Sequence, residues 1–221
     1  MKEHPILFNS DMVRAVRAGG KTQTRRVVRG VEECPHGYDE VRRITQQEDH
    51  FLFDFASGES AAIKCPYGVV GDRLWGREAW RTWNVLDKLP PRDLAENSHI
   101  RYEADGAYKN GRKPRGSDEV WGKLRPGMFM PRWASRITRT VARVRVERLN
   151  DISERDAIAE GIDAHRASSK CPLLYRDYSL AFNDPFEWFR NPIDSYRTLW
   201  EKINGPGSWK ANPLVWVVEF R

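Results

Sequence analysis

Long apolar runs, paired cysteines and glycine-rich phosphate loops are all missing from this 221-residue chain. No stretch approaches the roughly 18 apolar residues of a membrane span, and Met1-Lys2-Glu3-His4-Pro5 has no signal-peptide core. The expectation is therefore a cytoplasmic protein with no membrane partner. Three cysteines, Cys34, Cys65 and Cys171, are odd in number and unsuited to a disulfide framework. A zinc site built from Cys34, His36, Cys65 and Cys171 would lack the close ligand pairs that zinc motifs use. No metal is expected, and the cysteines read as small buried hydrophobes. The GxGxxG, P-loop, HExxH and GxSxG signatures are absent, so no cofactor is expected. The histidines lie in unrelated contexts, and no Ser-His-Asp arrangement is visible.

What the chain does have is positive charge and aromatic surface. Its net charge is +6, arginine far outnumbers lysine, and there are nine tryptophans. Arginine offers a planar fork suited to phosphate and to stacking on bases. Together with many aromatics, this points to a nucleotide or nucleic-acid partner, set against the plainer reading of solvated arginines and core tryptophans. At 40% hydrophobic residues the chain has a globular composition, long enough to bury a core without staples.

The spacing predicts a first strand over Pro5–Phe8. A helix follows, capped by Ser10, with Met12, Val13 and Val16 on one face and Gly19-Gly20 as its stop. Val27 and Val28 open the next strand. Residues 30–64 read as a peripheral insertion in which Phe51–Phe55 alternates like a hairpin strand, and 163–190 as a second insertion. Further strands are expected at Leu74–Trp80, His99–Ala104, Arg136–Leu149 and Leu214–Phe220. Helices are expected at Glu154–Glu160, capped by Ser153, and around Ile193–Ile203, before Gly205-Pro206. No internal repeat or convincing linker is present. Many strands and few helices suggest an α+β chain with a small β-barrel core and packed helices.

Reactive groups concentrate in Gly19-Gly20-Lys21-Thr22-Gln23-Thr24-Arg25-Arg26, read as a turn-like basic segment past a helix end. A threonine hydroxyl is a nucleophile when a base takes its proton. A lysine serves as that base only when burial or nearby cations lower its pKa. A carboxyl group with a raised pKa protonates a leaving amine. Lys21, Thr24 and Glu78 supply those types, and a turn would bring Lys21 and Thr24 together. Glu78 facing inward must be paired or functional; facing outward, it is a solvated carboxylate.

The pattern Gly19-x-Lys21-x-x-Thr24-x-Arg26 resembles the signature of ASCH domains. Pro5–Phe8, Gly71-Asp72-Arg73-Leu74-Trp75-x-Arg77-Glu78, Met130–Arg136 and Asn212–Val217 resemble the phage and prophage branch of that family. The resemblance implies a single PUA-like barrel domain over 1–221, with the two insertions. It also implies RNA-related ligands, and in some members an amidohydrolase acting on N4-acetylcytidine and related N4-acylated cytidines. Matched residue by residue, Lys21 is then the proton acceptor, Thr24 the nucleophile and Glu78 the proton donor. Arg26, Arg77, Trp80, Tyr102 and Trp133 are the expected substrate-binding residues. The partner is a nucleoside, with RNA as the alternative. A base-reading or RNA-binding module and a ribonuclease are the competing functions, and nothing in the chain sets the oligomeric state.

Overall fold

The computed structural model describes residues 1–29, 41–111, 121–166, 168–180 and 188–221. In chain order these form β1 (Glu3–Leu7), α1 (Ser10–Arg17), β2 (Gln23–Val27), β3 (Val41–Gln46), β4 (Phe51–Phe55), β5 (Ser60–Ile63), β6 (Arg73–Arg77), β7 (Trp80–Arg81), β8 (Ile100–Tyr102) and β9 (Tyr108–Lys109). The second half adds β10 (Thr138–Arg148), α2 (Glu154–Ala159), β11 (Ala164–His165), β12 (Leu174–Arg176), β13 (Trp188–Phe189), α3 (Pro192–Asn204) and β14 (Leu214–Phe220). Several sheets with three helices make the class α+β.

The central sheet has five strands in the order β1-β6-β10-β14-β2. The β1–β6 pair is parallel; the other pairs are antiparallel. Among the described residues this sheet stays open, with β1 and β2 as its edges. The two edges nevertheless come within a side chain of each other, because Arg26 on β2 donates to the Leu7 carbonyl at the end of β1, at 2.8 Å.

The buried middle strand β14 sorts the interior into two cores. Leu214, Trp216, Val218 and Phe220 face a core shared with α1 (Met12, Val13, Val16) and with Phe51, Phe53 and Phe55 of β4. Val215 and Val217 face the other way, onto Leu149, Ala157, Tyr175, Tyr196, Leu199 and Trp200. Each such buried apolar side chain contributes about 1.5–3 kcal/mol of transfer free energy. Both stretches expected as insertions therefore place side chains in a core: β4 edge-on against Trp216, and Tyr175 and Tyr178 beside α3. The described part of that first stretch, 41–64, is not peripheral, because the alternation of its phenylalanines is the burial face of a strand. A third, smaller cluster holds Trp80, Ile100, Tyr102 and Met130.

Local signals explain the helix limits. The Asn9 side chain, rather than Ser10, caps α1 by accepting from the Met12 N–H at 2.9 Å. Ser153 caps α2 as expected, accepting from the Asp156 N–H at 3.2 Å. Asn191 caps α3, which has Pro192 in its first turn. On β10, the register shifts between Val141 and Arg143, so Val141 and Val144 point inward and Ala142 is exposed, against a simple alternation. No helix among the described residues is long and apolar enough to cross a membrane.

Candidate active site

The segment that carries the signature turns at Gly19 (φ +80°) but is extended from Lys21 onward. Gln23–Val27 pairs with β14 in the register Val218↔Thr24, Val217↔Arg25 and Trp216↔Arg26. Opposed residues of an antiparallel pair share a face. Thr24 and Arg26 therefore join the face of Trp216 and Val218, while Gln23 and Arg25 join that of Val217 and Glu219. Lys21 continues the second set, bridging to Glu160 just before the strand. Successive strand residues point to opposite sides, so Lys21 and Thr24 leave the backbone on opposite faces. This corrects the expectation that a turn brings the two together.

The Lys21 face is a buried charge network. Lys21 Nζ donates to both the backbone carbonyl and Oε2 of Glu160, each at 2.8 Å, and the two side chains are 0% and 2% exposed. Arg25 donates to Glu160 Oε1 at 3.3 Å, to Asp156 Oδ2 at 3.1 Å and to Glu147. Arg145 ties Asp156, Glu147 and Glu219 into the same cluster. Burial pushes the Lys21 ammonium below the ordinary lysine range. Glu160 pulls it back up, and Arg26 and Arg25 push it down again; the net direction is down. That is the direction a general base needs.

Glu160 is the residue that sequence reasoning missed. It lies 139 positions from Lys21, and one local signal marks it. It occupies the C-cap of α2, where a negative charge opposes the helix dipole, and Gly161 follows at φ +80°. A Cβ at Gly161 would stand 2.6 Å from Lys21 Cβ. The glycine is thus what lets the end of α2 close onto the lysine.

Thr24 is fully buried, and its Oγ1 accepts from Arg26 Nη1 at 2.8 Å. Glu78 is buried too, but its partner is Arg136, which holds it in a two-pronged pair at 2.8 and 2.7 Å. No hydrogen bond joins any two of Lys21, Thr24 and Glu78. Arg136 also reaches Asp105 and lies over the Tyr102 ring, 3.9 Å from its centroid. Glu78 therefore sits in an ion pair beside the third core, where the inward reading required a partner.

The expected substrate-binding residues disperse. Trp80 and Tyr102 are core residues, with the Tyr102 hydroxyl donating to the Ala134 carbonyl at 2.8 Å. Arg77 stacks on Trp75, its Cζ 4.6 Å from the ring centroid. Half-buried Trp133 accepts from Lys109 through its carbonyl. Of these residues only Arg26 borders the cavity at the open side of the sheet.

That cavity has a volume of 220 Å³. It occupies the gap between the edges β1 and β2, where α1 and α3 close over it. Leu7, Met12, Val27, Leu199, Trp200 and Ile203 supply apolar wall; Arg25, Arg26, Glu160, Tyr196, Asn9 and Asn204 supply polar groups. Burial and the Glu160 carboxylate raise the Tyr196 phenol well above its ordinary value, so it stays a neutral hydroxyl. An apolar chamber with a few convergent polar groups, one belonging to a pair with a shifted pKa, is the usual form of a small-molecule site.

Of the four zinc ligands weighed from sequence, Cys34 and His36 lie outside the described residues. Cys65 is buried in the main core and Cys171 is exposed. Among the described residues no group of three or more potential ligands gathers around a metal position. Comparison with protein-family models, with curated proteins and with solved structures returned no match.

Proposed function

We propose that the chain is an amidohydrolase that removes the acyl group from N4-acylated cytosine nucleosides, on a PUA-like scaffold of the ASCH type. The observation that carries this assignment is the buried Lys21–Glu160 pair, with Glu160 lining an apolar cavity beside it. Further support comes from the five-stranded sheet whose edges nearly meet across that cavity.

Amide hydrolysis needs a nucleophile, a base to take its proton and an acid to protonate the departing amine. Lys21, with its lowered pKa, is the proton acceptor. The buried ion pair interconverts with its neutral tautomer across 2.8 Å. From that form the Lys21 amine takes the nucleophile's proton, the Glu160 carboxyl at the cavity wall gives its own to N4 as cytidine leaves, and the ion pair is restored. Glu160 takes the role that the resemblance assigns to Glu78. Thr24 is the nucleophile the resemblance implies. Arg26 donates into its oxygen, and a cation there favours the alkoxide. Thr24 and Lys21 leave opposite faces of β2, so the acyl-threonine route requires a proton relay around the strand edge, and a second water then hydrolyses the acyl-threonine to release the carboxylic acid. In the direct variant of the reaction, a water activated by the Lys21–Glu160 pair replaces Thr24.

The test is turnover of a panel of N4-acylated cytidines by the wild type, Lys21→Ala, Glu160→Gln and Thr24→Ala. Loss in the first two variants with folding retained supports the assignment. Residual turnover in Thr24→Ala selects direct attack by water, and complete loss selects the acyl-threonine route. Wild-type inactivity across the panel refutes the amidohydrolase. It would leave a non-catalytic base-reading module, the alternative favoured by Lys21, Thr24 and Glu78 each being engaged in a separate contact.

A further inference from the structure

A second concavity, of 590 Å³, adjoins the first. The two share Arg26, Val27 and Asn204 in their walls, so Arg26 stands on the divide between them. The second is lined also by Arg29, Ile63, Lys64, Pro66, Tyr67 and Trp216. Among the described residues, three cations face it and no carboxylate lines it. Lys64 pairs with Asp49 at the exposed rim. Arg29 is exposed, with no ion pair to a described residue. Arg26 spends three of its N–H donors on Thr24 Oγ1, the Arg25 carbonyl and the Leu7 carbonyl, out of five in a guanidinium. A further contact goes to the Tyr67 hydroxyl in the wall of the same concavity, so Arg26 is held in place and offers a ligand its charge and at most one remaining donor. The fixed arginine, exposed Arg29 and a lysine surround a space next to a small apolar chamber.

The geometry points to a phosphate subsite: the ligand is a phosphorylated cytidine whose base occupies the first cavity and whose ribose phosphate lies between Arg26, Arg29 and Lys64. This deepens the proposed function and rests on the nucleoside occupancy of the first cavity. A free nucleoside would leave the second concavity and its charges unused. A ribose phosphate attached at either end of the sugar would span the Arg26 divide. Arginine and lysine at such a position bind phosphate by charge-assisted hydrogen bonds. The phosphate belongs either to a mononucleotide or to an RNA strand, and those are the two sources to be told apart.

Binding is measured by calorimetry on the wild type with cytidine, cytidine 5′-monophosphate, cytidine 3′-monophosphate and a short cytidine oligoribonucleotide. Turnover of the N4-acetylated counterparts is followed in parallel. A phosphate-bearing ligand is expected to bind about tenfold tighter than cytidine at low salt. That advantage shrinks at high ionic strength. In the double variant Arg29→Gln/Lys64→Gln, both of whose positions are exposed, the ratio of nucleotide to nucleoside affinity falls toward one. Tightest binding of a mononucleotide identifies a free nucleotide as the source, and tightest binding of the oligomer identifies RNA. Equal affinity for cytidine and all phosphate-bearing ligands overturns the subsite and leaves the amidohydrolase standing. Phosphate preference that depends on Arg29 and Lys64, without turnover of any acylated ligand, does the reverse. Absence of both binding and turnover refutes the two together.

Discussion

Glu160→Gln tests the central pair most directly. The wild-type carboxylate neutralises a lysine whose side chain is 0% exposed and receives a second bond from Arg25 at 3.3 Å. Glutamine keeps the shape and the acceptor oxygen but removes the charge. Breaking one side of a buried pair leaves the other charge uncompensated, at a cost of about 3–5 kcal/mol. In a chain of this size that corresponds to a fall in Tm on the order of 6–20 °C. The loss should depend on pH with a definite sign. Lys21 already titrates below its unfolded value, and losing Glu160, which raises its pKa, moves it further down. A lysine with a depressed folded pKa binds fewer protons folded than unfolded, so stability rises with pH across the interval between the two values. The Glu160→Gln deficit should therefore be largest below the folded pKa and shrink as pH climbs toward the ordinary lysine value of 10.5. Urea midpoints from neutral to alkaline pH measure this. Adding Lys21→Met should recover most of the loss, since replacing both members of a buried pair is close to neutral. A deficit that is the same at every pH, or that Lys21→Met does not relieve, would refute the uncompensated-charge account.

Arg136→Met should destabilise by about 3 kcal/mol, because it strands the buried Glu78 carboxylate; thermal melting with Glu78→Gln as the rescuing partner checks it. Gly161→Ala should cost more than about 1 kcal/mol, since φ is +80° and the new methyl would meet Lys21 Cβ at 2.6 Å. It should also move the Lys21 titration seen by NMR; an unchanged titration would mean that the glycine does not set the Lys21–Glu160 approach. Asp72 accepts from the Lys2 N–H at 2.6 Å and pairs with His4 at 3.0 Å. These contacts, the Lys2 bond first, hold its carboxyl below the ordinary aspartate value of 3.8. That stability is present above the ordinary unfolded value and is lost as pH falls through the lowered folded one. Asp72→Asn should accordingly flatten the acid limb of the stability profile, and an acid limb identical to wild type would count against it.

Much of the fold is legible locally. The apolar spacing of Met12, Val13 and Val16, the cap at Ser153, the glycines closing α1 and α2, the alternating phenylalanines of β4 and the continuous apolar run of β14 each state their element within a few residues. These are short-range effects of backbone geometry and one-sided burial. The strand Gln23–Arg26 has no such signal. Four polar residues in a row become extended because β14 offers them a ladder, and their charges are satisfied by α2 and the end of β1.

By itself, then, the sequence determined the chemistry within reach: a lysine and a threonine three residues apart in a basic segment, with carboxylates elsewhere. Only the tertiary structure decided which groups meet. Pairing with β14 sent Lys21 and Thr24 to opposite faces. The close approach permitted by Gly161 chose Glu160 as the lysine's partner, while Arg136 claimed Glu78. Periodicity and caps act over one turn or one strand. The choice of one buried carboxylate among many depends on strand register and on where a helix ends.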